Sequence, residues 1–211
     1  MIDLLEILRT RRLVAVLRAA DADRFVPASQ ALYEAGITCL EFTLTTQGAL
    51  DALRDARKAL PDDALLGVGT LRTLQHVTDA ADAGADFLVN QTFSPELVDA
   101  ARDRDLPFVP GTLTPMEIVR AWEYGVAAVK ISPVGPVGGV EYLSEVLAPL
   151  PDVPVVPSGG VTLEAAHEYL RRGAAAVGLS RALTLDALTP GGDLDALAER
   201  ARAVVASLNA A

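Results

Sequence analysis

Eight short apolar runs alternate with amphipathic segments along this chain, at spacings of 19–27 residues. Each interval holds one strand, one helix and two short loops. Together these features predict a (β/α)8 TIM barrel with an additional N-terminal helix. Length agrees, because 211 residues sit near the lower limit for that fold and suit one domain spanning 1–211. Composition agrees too: the chain is 51% apolar but only 5% aromatic, so its core must be built from Ala, Val and Leu, as helices on a buried parallel sheet require.

The elements follow in order. Asp3–Arg11 reads as the additional helix, covering the barrel bottom or packing at its side. The runs begin near Leu13 (LVAVLR), Cys39 (CLEFTL), Leu65 (LLGVG), Asp86 (DFLVN), Phe108 (FVPG), Ala127 (AAVKIS), Pro154 (PVVPSGG) and Ala175 (AAVGLS). Between them lie helical segments such as ASQALYEAG, LQHVTDAADAG, PELVDAARDRD, TPMEIVRAWEYG and LEAAHEYLRRG. Gly36, Gly84, Gly125 and Gly173 end helical segments, where glycine takes the left-handed stop conformation at no steric cost. The last helix spans Leu194–Leu208. An open doubly wound sheet is the rival, but GVGTLR holds only the first two glycines of a dinucleotide-binding fingerprint.

A net charge of −10 argues against a nucleic-acid surface or a polybasic membrane patch. Cys39 is the only cysteine, and with two histidines, His76 and His167, it does not make a dedicated zinc site. No run approaches the length of a membrane span, and MIDLLEILRTRR lacks the apolar region of a signal peptide. A cytoplasmic protein without a metal or cofactor is expected. His76, His167, Trp122 and Tyr124 read as surface or helix-packing residues.

Two residues stand out. The chain has 18 basic residues but only two lysines. Lys58 lies in a charged helical stretch, whereas Lys130 lies in VAAVKISP, which reads as a buried strand. An ammonium there is costly unless paired or deprotonated, and a neutral lysine can form a Schiff base with a carbonyl. Glu41 is the second, a carboxylate inside CLEFTL. Glu41, Thr43 and Thr45 share one parity and hence one face. Glu41 and Lys130 either make a structural ion pair or serve as an acid/base carboxylate beside an imine-forming amine; desolvation makes the first a poor source of stability. Polar residues at the other strand ends are Arg18, Thr70, Asn90-Gln91, Thr112, Ser132, Ser158-Gly159-Gly160 and Ser180. Gly159 and Gly160, before a helix starting near Thr162, expose N–H groups to an anion such as phosphate; an ordinary glycine turn is the alternative.

The motifs LEFTLTT, LLGVGT, FVPGTLTPMEI, AAVKISP with a later GGV, PSGGV and VGLS occur in this order from about Leu13 to Leu183. In these the chain resembles the class I aldolases that cleave 2-keto-3-deoxy-6-phosphogluconate, its galactonate epimer and 4-hydroxy-2-oxoglutarate. The resemblance implies a carbon–carbon lyase releasing pyruvate and glyceraldehyde 3-phosphate, a metal-free site and a homotrimer. It assigns Lys130 to the Schiff base and Glu41 to proton transfer. Thr70 falls to the pyruvate moiety, Arg18 to the anionic end, and Gly159, Gly160 and Ser180 to phosphate. Thr45 stands where gluconate-type members carry arginine, and Ser132 where an aromatic follows the lysine by two. Pro133-Val134-Gly135 replaces Pro-Ala-Glu, and Asn90-Gln91-Thr92 replaces Ser-Pro-Gly. The alternatives are an aldolase for a non-phosphorylated 2-keto acid, a phosphate-binding isomerase or synthase, and an inactive metabolite-binding barrel.

Overall fold

The computed structural model describes residues 2–209. Helix α1 (Leu4–Arg11) leads into β1 (Leu13–Leu17), α2 (Phe25–Glu34), β2 (Cys39–Thr43), α3 (Ala49–Ala59) and β3 (Leu65–Gly69). Then come α4 (Leu74–Asp82), β4 (Phe87–Val89), α5 (Pro95–Arg102), β5 (Phe108–Val109), β6 (Gly111–Thr112) and α6 (Pro115–Glu123). The chain continues through β7 (Val129–Ile131), α7 (Gly139–Leu147), β8 (Val155–Pro157), α8 (Leu163–Arg171), β9 (Val177–Leu179), α9 (Arg181–Thr184) and α10 (Leu194–Asn209). Each of the eight apolar runs contains a strand, and every ladder is parallel.

The strands do not form the closed eight-stranded TIM barrel that the periodicity predicts. They make a six-stranded half-barrel sheet, β5-β4-β3-β2-β1-β9, and a separate three-stranded sheet, β6-β7-β8. The fifth run divides at Pro110, which has no N–H for a ladder. Phe108–Val109 pairs back onto β4, while Gly111–Thr112 pairs forward onto β7. At the other seam, β8 and β9 meet through the isolated bridge Ser158↔Gly178. Prolines 154 and 157 remove two amide donors there, so little ladder can form.

Strand parity sorts the core. Leu13, Ala15 and Leu17 of β1 and Leu40 and Phe42 of β2 pack outward against the helices. Val14, Cys39, Phe87, Val89, Val109 and Val156 form a second cluster on the concave face, closed by Leu4 and Leu8 of α1. The additional helix therefore lies under the sheets, one of the two places expected for it. The Phe25 and Phe42 rings meet edge to face at 5.6 Å. Local signals set the helix starts. Thr114 caps α6 in a reciprocal capping box with Glu117, and Pro115 follows at the first turn. No described helix is long and apolar enough to cross a membrane.

Candidate active site

Parity places Glu41 on the concave face, two residues after Cys39. Lys130 reaches the same space from the middle of β7. Glu41 is 2% exposed and Lys130 5%, whereas the side chain of Lys58 is 75% exposed and pairs with Asp55 at 2.8 Å. A cavity of about 20 Å³ joins Glu41, Lys130, Ser158 and Gly178 above an apolar floor that includes Leu8, Val14 and Val156. That volume has room for one water-sized group.

Among the described residues no ion pair links Glu41 to Lys130. Glu41 Oε1 is buried without a hydrogen-bond partner. A carboxylate oxygen held this way costs stability, so the structural ion-pair reading loses its support. The sheet makes room for this side chain. A Cβ at Gly69 of β3 would overlap Glu41 Oε1, so a side chain there would displace the carboxyl. Thr43 Oγ1 donates to Leu17 O at 2.9 Å and ties β2 to β1 beyond Glu41. Thr112 Oγ1 donates to Lys130 O at 3.0 Å and fixes β7 against β6. Cys39 on the same face is inert, because burial pushes its thiol up to about 12.

A larger cavity of about 560 Å³ opens above Lys130. Arg18, Ser132, Gly159, Gly160 and Ser180, all read from the sequence, line it. Gly159 and Gly160 have φ of 73° and 87°, the left-handed region that lets the turn present its backbone. Gln91 and Arg181, to which residue type and spacing assign no role, also line it. Gln91 showed only as a polar residue at a strand end. Arg181 was signalled by its position directly after Ser180.

Thr70 and Thr45 lie elsewhere. Thr70 lines a neighbouring cavity of about 540 Å³ and adopts φ 68°, an unusual state for a β-branched residue. It stays connected to the main cavity, because Arg18 Nη2 donates to Thr70 Oγ1 at 3.4 Å. Thr45 is exposed in the turn after β2, its hydroxyl 3.5 Å from Thr43 Oγ1, and it does not line the cavity. The strand ends at Thr43, so the parity that placed Glu41 no longer applies two residues later. No group of three or more potential metal ligands occurs among the described residues.

The family model of the KDPG and KHG aldolases, the enzymes of 2-keto-3-deoxy-6-phosphogluconate and 4-hydroxy-2-oxoglutarate, matches residues 4–199. The chain belongs to this aldolase family. The resemblance read from six motifs is therefore borne out. Among similar aldolases, the 2-dehydro-3-deoxy-phosphogluconate aldolase of Haemophilus influenzae is 34% identical over 167 residues, covering 79% of this chain and 78% of that protein. The KHG/KDPG aldolase of Escherichia coli is 32% identical over 200 residues, covering 94% and 93%. The crystal structure of the KDPG aldolase of Legionella pneumophila, with pyruvate captured as a covalent carbinolamine, superposes with a TM-score of 0.86 at 27% identity, covering 95% and 97%.

Proposed function

We propose that this chain is a class I aldolase that cleaves a 2-keto-3-deoxy-6-phospho sugar acid to pyruvate and glyceraldehyde 3-phosphate. The observation that carries this is the buried Lys130 beside a buried, unpaired Glu41 oxygen. Lys130 Nζ, as the neutral amine, adds to the C2 ketone. The carbinolamine loses water and leaves an iminium. Glu41 accepts the C4 hydroxyl proton while the C3–C4 bonding pair moves into the iminium, forming an enamine and releasing the aldehyde. The same carboxyl returns the proton to C3, and water then frees pyruvate and Lys130.

Arg18, Ser180, Arg181 and the N–H groups around Gly159 and Gly160 offer the distal phosphate cationic and neutral donors within one cavity. Ser132 lines the wall two residues after the lysine. Thr70 holds the pyruvate oxygens through its link to Arg18. Thr45 acts by leaving the mouth uncharged rather than by contact. A homotrimer in the cytoplasm belongs to the same proposal; light scattering tests the trimer.

Treatment with pyruvate and borohydride is the direct test. A reduced adduct should map to Lys130 and be absent from Lys58. No adduct, or one on Lys58 alone, overturns the proposal.

A further inference from the structure

A cavity of about 550 Å³ lies at the opposite end of the molecule from the one over Lys130. It opens where two parallel strands begin, with Arg12 before β1 and Ala174 and Ala175 before β9. Val177 N donates to Arg12 O at 2.9 Å there. Arg18 and Ser180, at the other ends of the same strands, line the cavity over Lys130. Arg9, Arg12, His167 and Arg171 converge on the lower cavity from α1, the turn after it and α8. Among the described residues that line it, none is acidic. The cluster therefore runs against the net charge of −10. Arg9, Arg12 and His167 join no ion pair among the described residues. Arg171 stands 3.4 Å from Glu168 Oε2, while Arg172 holds the other oxygen of that carboxylate at 2.9 Å. One carboxylate thus serves two guanidinium groups at the edge of the cluster. Complementing a helix C-terminus explains Arg9 and Arg171, which lie in the last turns of α1 and α8. It does not explain Arg12. This residue stops α1 at φ 61°, the left-handed state that glycine takes at lower cost. Its Nη1 donates to Leu208 O at 2.7 Å, which holds the guanidinium in place. A strained backbone kept by an arginine points to a use for that side chain.

We infer that this lower cavity is a binding site for a phosphomonoester. The dianion meets the guanidinium groups of Arg9, Arg12 and Arg171, whose paired donors match phosphate oxygens. The carbon body rests on the apolar wall of Leu170, Ala174 and Ala175. The volume suits a small organic ligand. This site is separate from the phosphate loop proposed at Gly159 and Gly160, and it does not depend on the imine chemistry at Lys130.

The test is calorimetric titration with phenyl phosphate, a phosphomonoester with an apolar body. The background is the Arg181→Ala protein, in which the phosphate end of the cavity over Lys130 is weakened. Phenyl phosphate should still bind that protein. Benzoate, with the same ring but a singly charged carboxylate, should bind at least tenfold more weakly. Arg9→Ala and Arg171→Ala change exposed residues and leave the core intact. Each should weaken phenyl phosphate at least tenfold, the scale of one hydrogen bond to a charged group. Arg120→Ala, on α6 and lining neither cavity, removes the same charge and should leave the affinity within twofold. Loss of all binding in Arg181→Ala overturns the inference, because the cavity over Lys130 is then the only site. Affinities within twofold of the background for both Arg9→Ala and Arg171→Ala overturn it as well. So does benzoate binding as tightly as phenyl phosphate, or Arg120→Ala weakening binding as much as Arg9→Ala, which would mark a general field rather than a site.

Discussion

At the residue scale, the proposed chemistry rests on two buried ionisable side chains, Lys130 and Glu41, that form no ion pair with each other. Lys130→Arg should place a permanent cation on β7 and abolish turnover and borohydride trapping, because a guanidinium does not deprotonate near neutrality. Glu41→Gln should still permit pyruvate trapping while lowering kcat by roughly 100-fold or more, the usual scale of acid/base assistance. A kcat within a fewfold of wild type would return Glu41 to a structural role. Gly69→Ala tests how the carboxylate is placed. The added methyl would overlap Glu41 Oε1, so kcat should fall by a larger factor than the thermal midpoint accounts for, with Lys130 untouched. Anion recognition has its own residue-scale test. Arg181→Ala should raise KM for phosphorylated substrate at least tenfold and leave that for a non-phosphorylated 2-keto acid within a fewfold. Gly160 is a poor site for the same experiment, because a Cβ there would sit 2.9 Å from Gly135 Cα and disturb the loop itself.

At the scale of elements, α6 shows how local chemistry fixes a boundary. Thr114 accepts from the Glu117 N–H, and Glu117 accepts from the Thr114 and Leu113 N–H groups at 2.7 and 2.9 Å. These bonds hold the Glu117 carboxyl below its ordinary value. A depressed carboxylate stabilises the fold above its unfolded pKa and loses that contribution as pH falls through the folded one. Glu117→Gln should therefore flatten the acid limb of the stability curve, measured as denaturation midpoint against pH. Thr114→Ala should cost about 1 kcal/mol at neutral pH. Helix α1 acts differently, as a floor: Leu4 and Leu8 close the concave face beneath Glu41 and Lys130. Its amphipathic pattern is visible in the chain, but the surface it covers comes from strands far away in sequence.

At the scale of the whole molecule, two parallel sheets meet at Pro110 and at the Ser158↔Gly178 bridge. The second seam lies beside Lys130, because Ser158 and Gly178 line both the small and the large cavity with it. A Cβ at Gly178 would stand 2.7 Å from Ser158 Oγ. Gly178→Ala should destabilise by about 1–3 kcal/mol through overpacking and slow imine formation as the seam opens. Equal thermal midpoints for the variant and wild type would show that the seam has slack.

The chain by itself determined the eight strand-forming runs, the helices between them and the two anomalous ionisable residues. These are local matters, because a charged residue inside an apolar run is visible wherever that run folds. The loop proposed to hold an anion was legible for the same reason: Gly159, Gly160 and Ser180 stand out by residue type and position, and all three line the cavity over Lys130. Only the tertiary structure decided the rest. The ring is interrupted because hydrogen-bond registry at proline-bearing strands depends on neighbours distant in sequence. Thr45 leaves the Glu41 face because β2 stops at Thr43, so its strand parity ends there. Thr70 takes a left-handed backbone that nothing in its residue type predicts. Gln91 and Arg181 line the cavity because loops from separate strands converge over Lys130. Side chains meet there through packing in three dimensions, and spacing along the chain does not encode that.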